Sequence, residues 1–284
     1  MSNPAGGAKK AIINIVNAHA RAYDAIKQFS GKDARVGIIM NNIHTTYPPK
    51  DPPDDPRDVK AAEMSNFFNS GFVLEAITKG NLNAEFDMET MTKVPHLKGL
   101  DWIGMTYYSR DVVTHSEVRF KEIPITAFKG GVPGYGYSCL PNTLSADGRY
   151  VSELGWEVFP EGLYNSLEAA SAHGLPIYIM ENGGVADSKD ILRPYFIAAH
   201  VAQVERAIES GIDVRGGYFH WSLLDNYEWG GMGGFGMRFG LYKVDLITKE
   251  RIPRKESVNL YREIVKNNGL TRRIRENYLG GGKP

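Results

Sequence analysis

Cysteine is nearly absent: Cys139 stands alone, which excludes an internal disulfide and any cysteine-built metal cage. An excess of one charge is lacking as well. The 284 residues hold 33 basic and 33 acidic side chains and a formal net charge of zero. That balance argues against nucleic acid as a partner, since binding phosphates needs a surplus of Lys and Arg on one face. No apolar run is long enough to cross a bilayer, so no membrane partner is expected. Residues 1–8 lack the apolar core of a secretory signal, and a cytoplasmic protein is the default expectation. There is no internal repeat and no low-complexity segment. No His or Cys cluster has metal-ligand spacing. The Gly-rich stretch at residues 230–236 lacks the Lys of a phosphate-binding loop and its strand-to-helix setting, so no metal and no cofactor is expected.

Aromatic side chains, by contrast, are plentiful: 15 Tyr, 12 Phe and 4 Trp, many beside Gly and Asn. Such rings either bind the C–H faces of sugars or fill cores, and composition does not choose between the two.

The hydrophobic pattern alternates between two periods. Over residues 10–29, Ile12, Ile15, Val16, His19, Ala22, Tyr23, Ile26 and Phe29 recur at the spacing of an amphipathic helix. Residues 36–41 then form a short apolar run ending at Asn41 and Asn42, as expected of a parallel strand buried on both faces. The unit repeats, with helices expected within 59–79, 160–172 and 191–210 and strands at 101–108, 176–181 and 216–222. A closing helix is expected at 253–267, and Pro194 must sit in the first turn of its helix. Helix–strand four times, then a helix, predicts an α/β fold with a parallel sheet. Residues 111–120 alternate and read as an edge hairpin; residues 129–150 form a Gly- and Pro-rich loop.

Each expected strand ends in polar or aromatic chemistry, and α/β barrels and open sheets place their sites at such ends. The string IYIMENG delivers Glu181 at a strand exit, either as a rigidly held nucleophile or as a surface carboxylate that begins a turn. The string HWSLLDNYEW gathers Trp221, Asn226, Glu228 and Trp229. It reads equally as a sugar subsite or as core indoles with a surface Glu.

Taken together, IYIMENGG, RGGYFHWSLLDNYEW and GMRFGLYKVD resemble the end of a glycoside hydrolase family 1 β-glycosidase of the archaeal type. AHARAYDAIK, VGIIMNN, LDWIGMTYYSR, GWEVFPEGLY and RPYFIAAHVAQVERAI extend the resemblance over roughly residues 10–270. It implies a parallel-strand half-barrel, the last four strand–helix units of a (β/α)8 TIM barrel. It also implies a carbohydrate substrate, a β-glucoside or β-galactoside. Glu181 would be the nucleophile that forms a covalent glycosyl-enzyme, and Tyr108 its hydroxyl donor. Trp221 would be the platform under the sugar, Glu228 an acceptor from its hydroxyls, Trp229 an indole donor and Phe239 a subsite wall. Asn41 and Asn42 are further candidates at their strand exit. Two departures stand out: Thr106 replaces the family's Asn before the paired tyrosines, and a longer Gly-rich loop before Phe239 is expected to displace that ring.

The resemblance matches the second half of the family alone. Retaining hydrolysis needs two carboxyl groups about 5–5.5 Å apart, one attacking and one protonating the leaving oxygen. The family's second carboxyl lies in an Asn-Glu-Pro motif that occurs nowhere in this sequence. Asp51, Asp54 and Asp55 are candidate substitutes on a Pro-rich loop. The expected organisation is a flexible segment at 1–9, the half-barrel at 10–270 and a tail at 271–284. Open sheet edges pair with something. The expected partner is an N-terminal half-barrel chain or a second copy. Two readings stay open: an enzyme part that is weak or inactive alone, and an inactive sugar-binding or scaffold protein that self-associates through its edges.

Overall fold

The computed structural model describes residues 4–50, 53–119, 126–229 and 233–280. Four strands form one parallel sheet: β1 (Gly37–Asn41), β5 (Trp102–Tyr107), β8 (Ile177–Gly183) and β9 (Val214–Trp221), in the order β1-β5-β8-β9. Helix α1 (Pro4–Ser30) precedes β1; between the strands run α2 (Pro56–Asn66) and α3 (Phe72–Lys79), α4 (Glu161–Ser171), and α5 (Leu192–Glu209), and α6 (Lys255–Asn267) and α7 (Arg272–Leu279) follow β9. Consecutive parallel strands joined by helices make half of a (β/α)8 barrel.

Alternation along the strands explains the packing. Ile103, Met105 and Tyr107 on β5, and Ile177 and Ile179 on β8, are buried against the helices together with Phe72, Ile77, Leu163 and Leu167. Fully burying one such aliphatic side chain stabilises by about 1.5–3 kcal/mol, so this outer face anchors the sheet. A second cluster joins Phe196, Ile197 and Val201 of α5 to Leu260 and Ile264 of α6 and Ile274 of α7. Residues 102, 104 and 106 face the other way, toward the barrel interior.

Local signals set the helix ends. Asp55 caps α2, its side chain accepting from the Arg57 backbone N–H at 2.9 Å, with Pro56 in the first turn. Pro194 lies in the first turn of α5. Asn268, at φ 51°, ends α6 in the left-handed conformation. Thr271 caps α7 by accepting from Ile274 N at 3.2 Å.

Three boundaries differ from those read in the sequence. The first helix begins at Pro4, inside the segment expected to be flexible. The helix expected within 59–79 starts at Pro56 and is divided by a π-helical turn, Phe67–Gly71, between α2 and α3. The tail expected from 271 holds α7, whose Ile274 is buried.

Residues 111–119 form one strand, β6 (Asp111–Arg119), rather than a hairpin of their own; its antiparallel partner is β7 (Thr126–Gly130), which runs into the stretch expected to be a loop, and β2 (Thr46–Tyr47) adds to β6 in parallel, while Phe120 lies outside the described residues. Two short antiparallel pairs complete the secondary structure: β3 (Asn81–Leu82) with β4 (Thr92–Lys93), and β10 (Tyr242–Val244) with β11 (Arg251–Pro253). Among the described residues no helix is long and apolar enough to cross a membrane, and no His, Cys, Asp or Glu group could hold a metal ion.

Candidate active site

Side-chain parity along β8 would turn Glu181 outward with Ile177 and Ile179. A bulge prevents this. Met105 pairs with Ile179, but Thr106 pairs with Glu181, so Met180 is an extra residue on β8 and the parity reverses there. Glu181 then shares the inner face with Thr106, and Thr106 in turn pairs with Asn41. Asn41, Thr106 and Glu181 thus form one polar row across three strand ends. The next residue, Asn182, is fully buried. Its amide donates to the Tyr107 carbonyl at 2.8 Å and accepts from the Tyr218 hydroxyl at 2.6 Å, which ties β8 to β5 and β9 just behind Glu181.

Tyr108, one residue beyond β5, donates its hydroxyl to Glu181 Oε2. Burial pushes the Tyr108 phenol up, and the neighbouring Glu181 carboxylate pushes it further, so the hydroxyl keeps its proton and remains a donor. The Thr106 hydroxyl donates to Asn41 Oδ1 at 2.8 Å, which leaves the Asn41 amide N–H groups as that side chain's remaining polar atoms.

At the end of β9, the Trp221 indole N–H donates to Glu228 Oε1 at 3.3 Å. Glu228 is buried. Burial raises its carboxyl above the ordinary range, while hydrogen bonds from Trp221 and Asn226 pull the other way. Trp229 stands 78% exposed at the rim, and Phe239 is buried. Asn41, Asn42, Tyr108, Glu181, Trp221, Glu228, Trp229 and Phe239 all line one cleft of about 520 Å³. The loop before Phe239 has not carried its ring away from it.

Two lining residues, Tyr137 and Trp156, escaped the sequence reading. Trp156 stacks on Phe239 (6.0 Å, 27°) and meets Tyr137 edge-on (4.9 Å, 84°). Both sit on the excursion after β7, which a buried ion pair latches to the segment joining β5 to β6. Arg110 donates through Nε and Nη2 to Glu157 at 2.7 and 2.9 Å, and Glu157 also accepts from Gly136 N at 2.8 Å. The Tyr137 hydroxyl donates to the Ser109 carbonyl and accepts from the Ser109 N–H, both at 3.2 Å. The string GWEVFPEGLY contained Trp156, and the conjunction of a Trp with a long Gly-rich excursion was the available signal.

None of the described lining residues is Lys or Arg. The substitute acids lie elsewhere. Asp54 pairs with Lys50 at 2.6 Å, and Asp55 is held down to about 2 by hydrogen bonds from Arg57, so it is ionised and cannot donate a proton near neutrality. Asp51 lies outside the described residues.

A strand thus delivers one carboxylate into a cleft, with a phenol donating to it and indole walls around it. The sequence model of Glycosyl hydrolase family 1 matches residues 3–270. The chain belongs to glycosyl hydrolase family 1. Over 282 residues it is 57% identical to a "Beta-galactosidase" of Pyrococcus woesei, covering 96% of this chain and 54% of that protein. A "Beta-galactosidase" of Saccharolobus solfataricus is 43% identical over 268 residues, 94% of this chain and 50% of its own length. The solved "beta-glycosidase from Pyrococcus horikoshii" superposes with a TM-score of 0.76 at 34% identity, covering 95% of this chain and 56% of that one. The chain therefore spans about half the length of the curated relatives it matches. The family 1 neighbours are TIM barrels, and the sheet β1-β5-β8-β9 matches half of one.

Proposed function

We propose that this chain supplies the nucleophile half of a retaining β-glycosidase acting on β-glucosides and β-galactosides. The observation that carries the reading is Glu181, bulged onto the inner face and held by the Tyr108 hydroxyl in an aromatic cleft. A carboxylate oxygen of Glu181 attacks the anomeric carbon as the bond to the leaving oxygen breaks, giving a covalent glycosyl ester. Water then cleaves the ester, with retention. Trp221 is the platform for the sugar ring. Glu228 and Trp229 take its hydroxyls, and Tyr137 and Trp156 form the wall toward the leaving group. Neutral substrates fit a lining with two carboxyl groups and no cation among the described residues.

The proton for the leaving oxygen comes from outside the described residues, from an N-terminal half-barrel or from a second copy. The second reading, a sugar-binding chain without turnover, is favoured by one observation. The other carboxyl in the cleft, Glu228, is occupied by Trp221 rather than poised across from Glu181.

Hydrolysis of nitrophenyl β-glucoside and β-galactoside by the chain, alone and mixed with the N-terminal half of a family 1 relative, separates the two readings. Turnover is expected in the mixture and lost in Glu181→Gln, with an activated fluoro-sugar labelling Glu181. A mixture that hydrolyses neither substrate and takes up no label would sink the enzymatic reading.

A further inference from the structure

The bulge that turns Glu181 inward sets β8 out of step with both of its neighbours. From Met105 to Thr106 β5 advances one residue while β8 advances two, from Ile179 to Glu181. From Tyr218 to His220 β9 advances two residues while β8 advances three, from Ile179 to Asn182. Met180 and Glu181 therefore both fall on the inner face, and Gly104 makes room for the first of them: a Cβ there would stand 3.0 Å from Met180 Cγ. Asn182 falls on the outer face, against the helix layer.

What Asn182 meets there is a pocket shaped for a primary amide. On one side the Tyr107 carbonyl can only accept; on the other the Tyr218 hydroxyl donates. Burial pushes the Tyr218 phenol well up, so it keeps its proton and remains a donor. Neither wall is free to follow a displaced side chain. Tyr107 is buried with its own hydroxyl on the Phe159 carbonyl at 2.6 Å, and the Tyr218 carbonyl accepts from the Tyr261 hydroxyl of α6 at 2.7 Å. Pairing β8 without the extra residue would carry Glu181 into this pocket and set its carboxylate against the Tyr107 carbonyl, acceptor facing acceptor. A buried charge so placed is costly, whereas the amide of Asn182 satisfies both walls.

We infer that Asn182 and Tyr218 are positioning residues for the nucleophile: the amide pocket on the outer face selects the bulged register and thereby holds Glu181 in the cleft, within reach of the Tyr108 hydroxyl. The inference deepens the nucleophile reading of Glu181 and rests on it. Neither residue lines the cleft, so both act through the backbone of β8 rather than on a sugar.

Carbon-13 NMR of the full chain labelled at its Glu carboxyl carbons tests the inference without any substrate. Glu181→Gln identifies the Glu181 signal, and Tyr108→Phe gives its position once the hydroxyl donor is gone. Tyr218→Phe removes the oxygen that serves Asn182 and should move the signal toward the Tyr108→Phe position. Tyr261→Phe removes a like hydroxyl one step further back and should leave the signal in place, while lowering stability in urea by a similar amount. Equal movement in the two variants would assign the effect to general loosening and overturn the inference, as would no movement in Tyr218→Phe. In the parent, one Asn182 side-chain amide proton should exchange as slowly as the backbone amides of β8. Rapid exchange there would overturn the inference even if Tyr218→Phe failed to fold. In the mixture with the N-terminal half of a family 1 relative, Tyr218→Phe should lower kcat about 10-fold or more and leave KM within about 2-fold. An unchanged kcat would refute the positioning role. A parent mixture without turnover removes the enzymatic reading instead, and the carboxyl signal then decides the positioning role by itself.

Discussion

His200 lies in the third turn of α5 with no solvent contact, its ring against Phe196 (3.8 Å, 30°) and beside Tyr107 (5.7 Å). Its Nδ1 is 2.8 Å from the Phe196 carbonyl, which can only accept, so Nδ1 carries the proton of the neutral ring. Nε2 is left buried without a hydrogen-bond partner. Protonating it would place a cation among hydrocarbon with nothing to receive the new N–H, and burial accordingly pushes the imidazole down to about 3. A histidine in the unfolded chain protonates near its ordinary value of 6.5. Below that pH the unfolded state binds a proton that the folded state refuses, so stability falls with pH from about 6.5 downward. Each pH unit is worth about 1.4 kcal/mol per group, which makes the loss at pH 5 roughly 2 kcal/mol from this ring.

His200→Leu removes the titration while keeping a side chain of similar bulk. At pH 7.5 the variant should lie within about 1 kcal/mol of the parent, because it gives up only one side-chain hydrogen bond. At pH 5 it should gain roughly 2 kcal/mol on the parent by linkage. Urea unfolding followed by circular dichroism at the two pH values reads the difference directly, and every other titrating group cancels between the two proteins. Parallel pH dependences, or a His200 ring that titrates near 6.5 by NMR, would refute this account of the buried ring.

Glu228 carries the opposite sign. Burial raises its carboxyl in the folded state, so the folded protein loses stability as pH climbs above the ordinary value of 4.5. Glu228→Gln should therefore melt at a higher temperature than the parent at pH 7 and match it near pH 4; equal melting temperatures at pH 7 would contradict the assignment. Arg110→Met strands Glu157, which is 1% exposed, without its countercharge and should cost about 3–5 kcal/mol in urea unfolding. Adding Glu157→Gln should recover most of that loss, and a single-variant cost below about 1 kcal/mol would show that the pair does not latch the excursion.

The four parallel strands were legible as continuous apolar runs, as in VGIIMNN and PIYIME, but the expected burial on both faces is not met among the described residues: Ile39 on β1 and Phe219 on β9 are exposed on the face away from the helices. Glu181, Tyr108 and Trp221 were legible because they close those runs. The inward turn of Glu181 was not: strict alternation places it on the helix side with Ile179, and the bulge at Met180 is a fact of strand pairing that no single strand announces. The break at Phe67–Gly71 was hidden for a related reason, since a wide turn keeps residues 59–79 looking helical. Tyr137 and Trp156 reach the cleft through Arg110 and Glu157, partners 47 residues apart, and such a long-range pair leaves no periodic trace.

The latch by Arg110 also divides the molecule by freedom to change. Asn41 and Glu181 are at once strand residues and cleft-lining residues, and Thr106 pairs with both, so the register of the sheet sets where they stand. Tyr137 and Trp156 hang from an excursion fastened at Ser109, Arg110 and Glu157. Selection can lengthen, shorten or rewrite the stretch between those fastenings without reopening the packing beneath. Glu181 is thereby held in the sheet, while the cleft wall at Tyr137 and Trp156 is free to diverge.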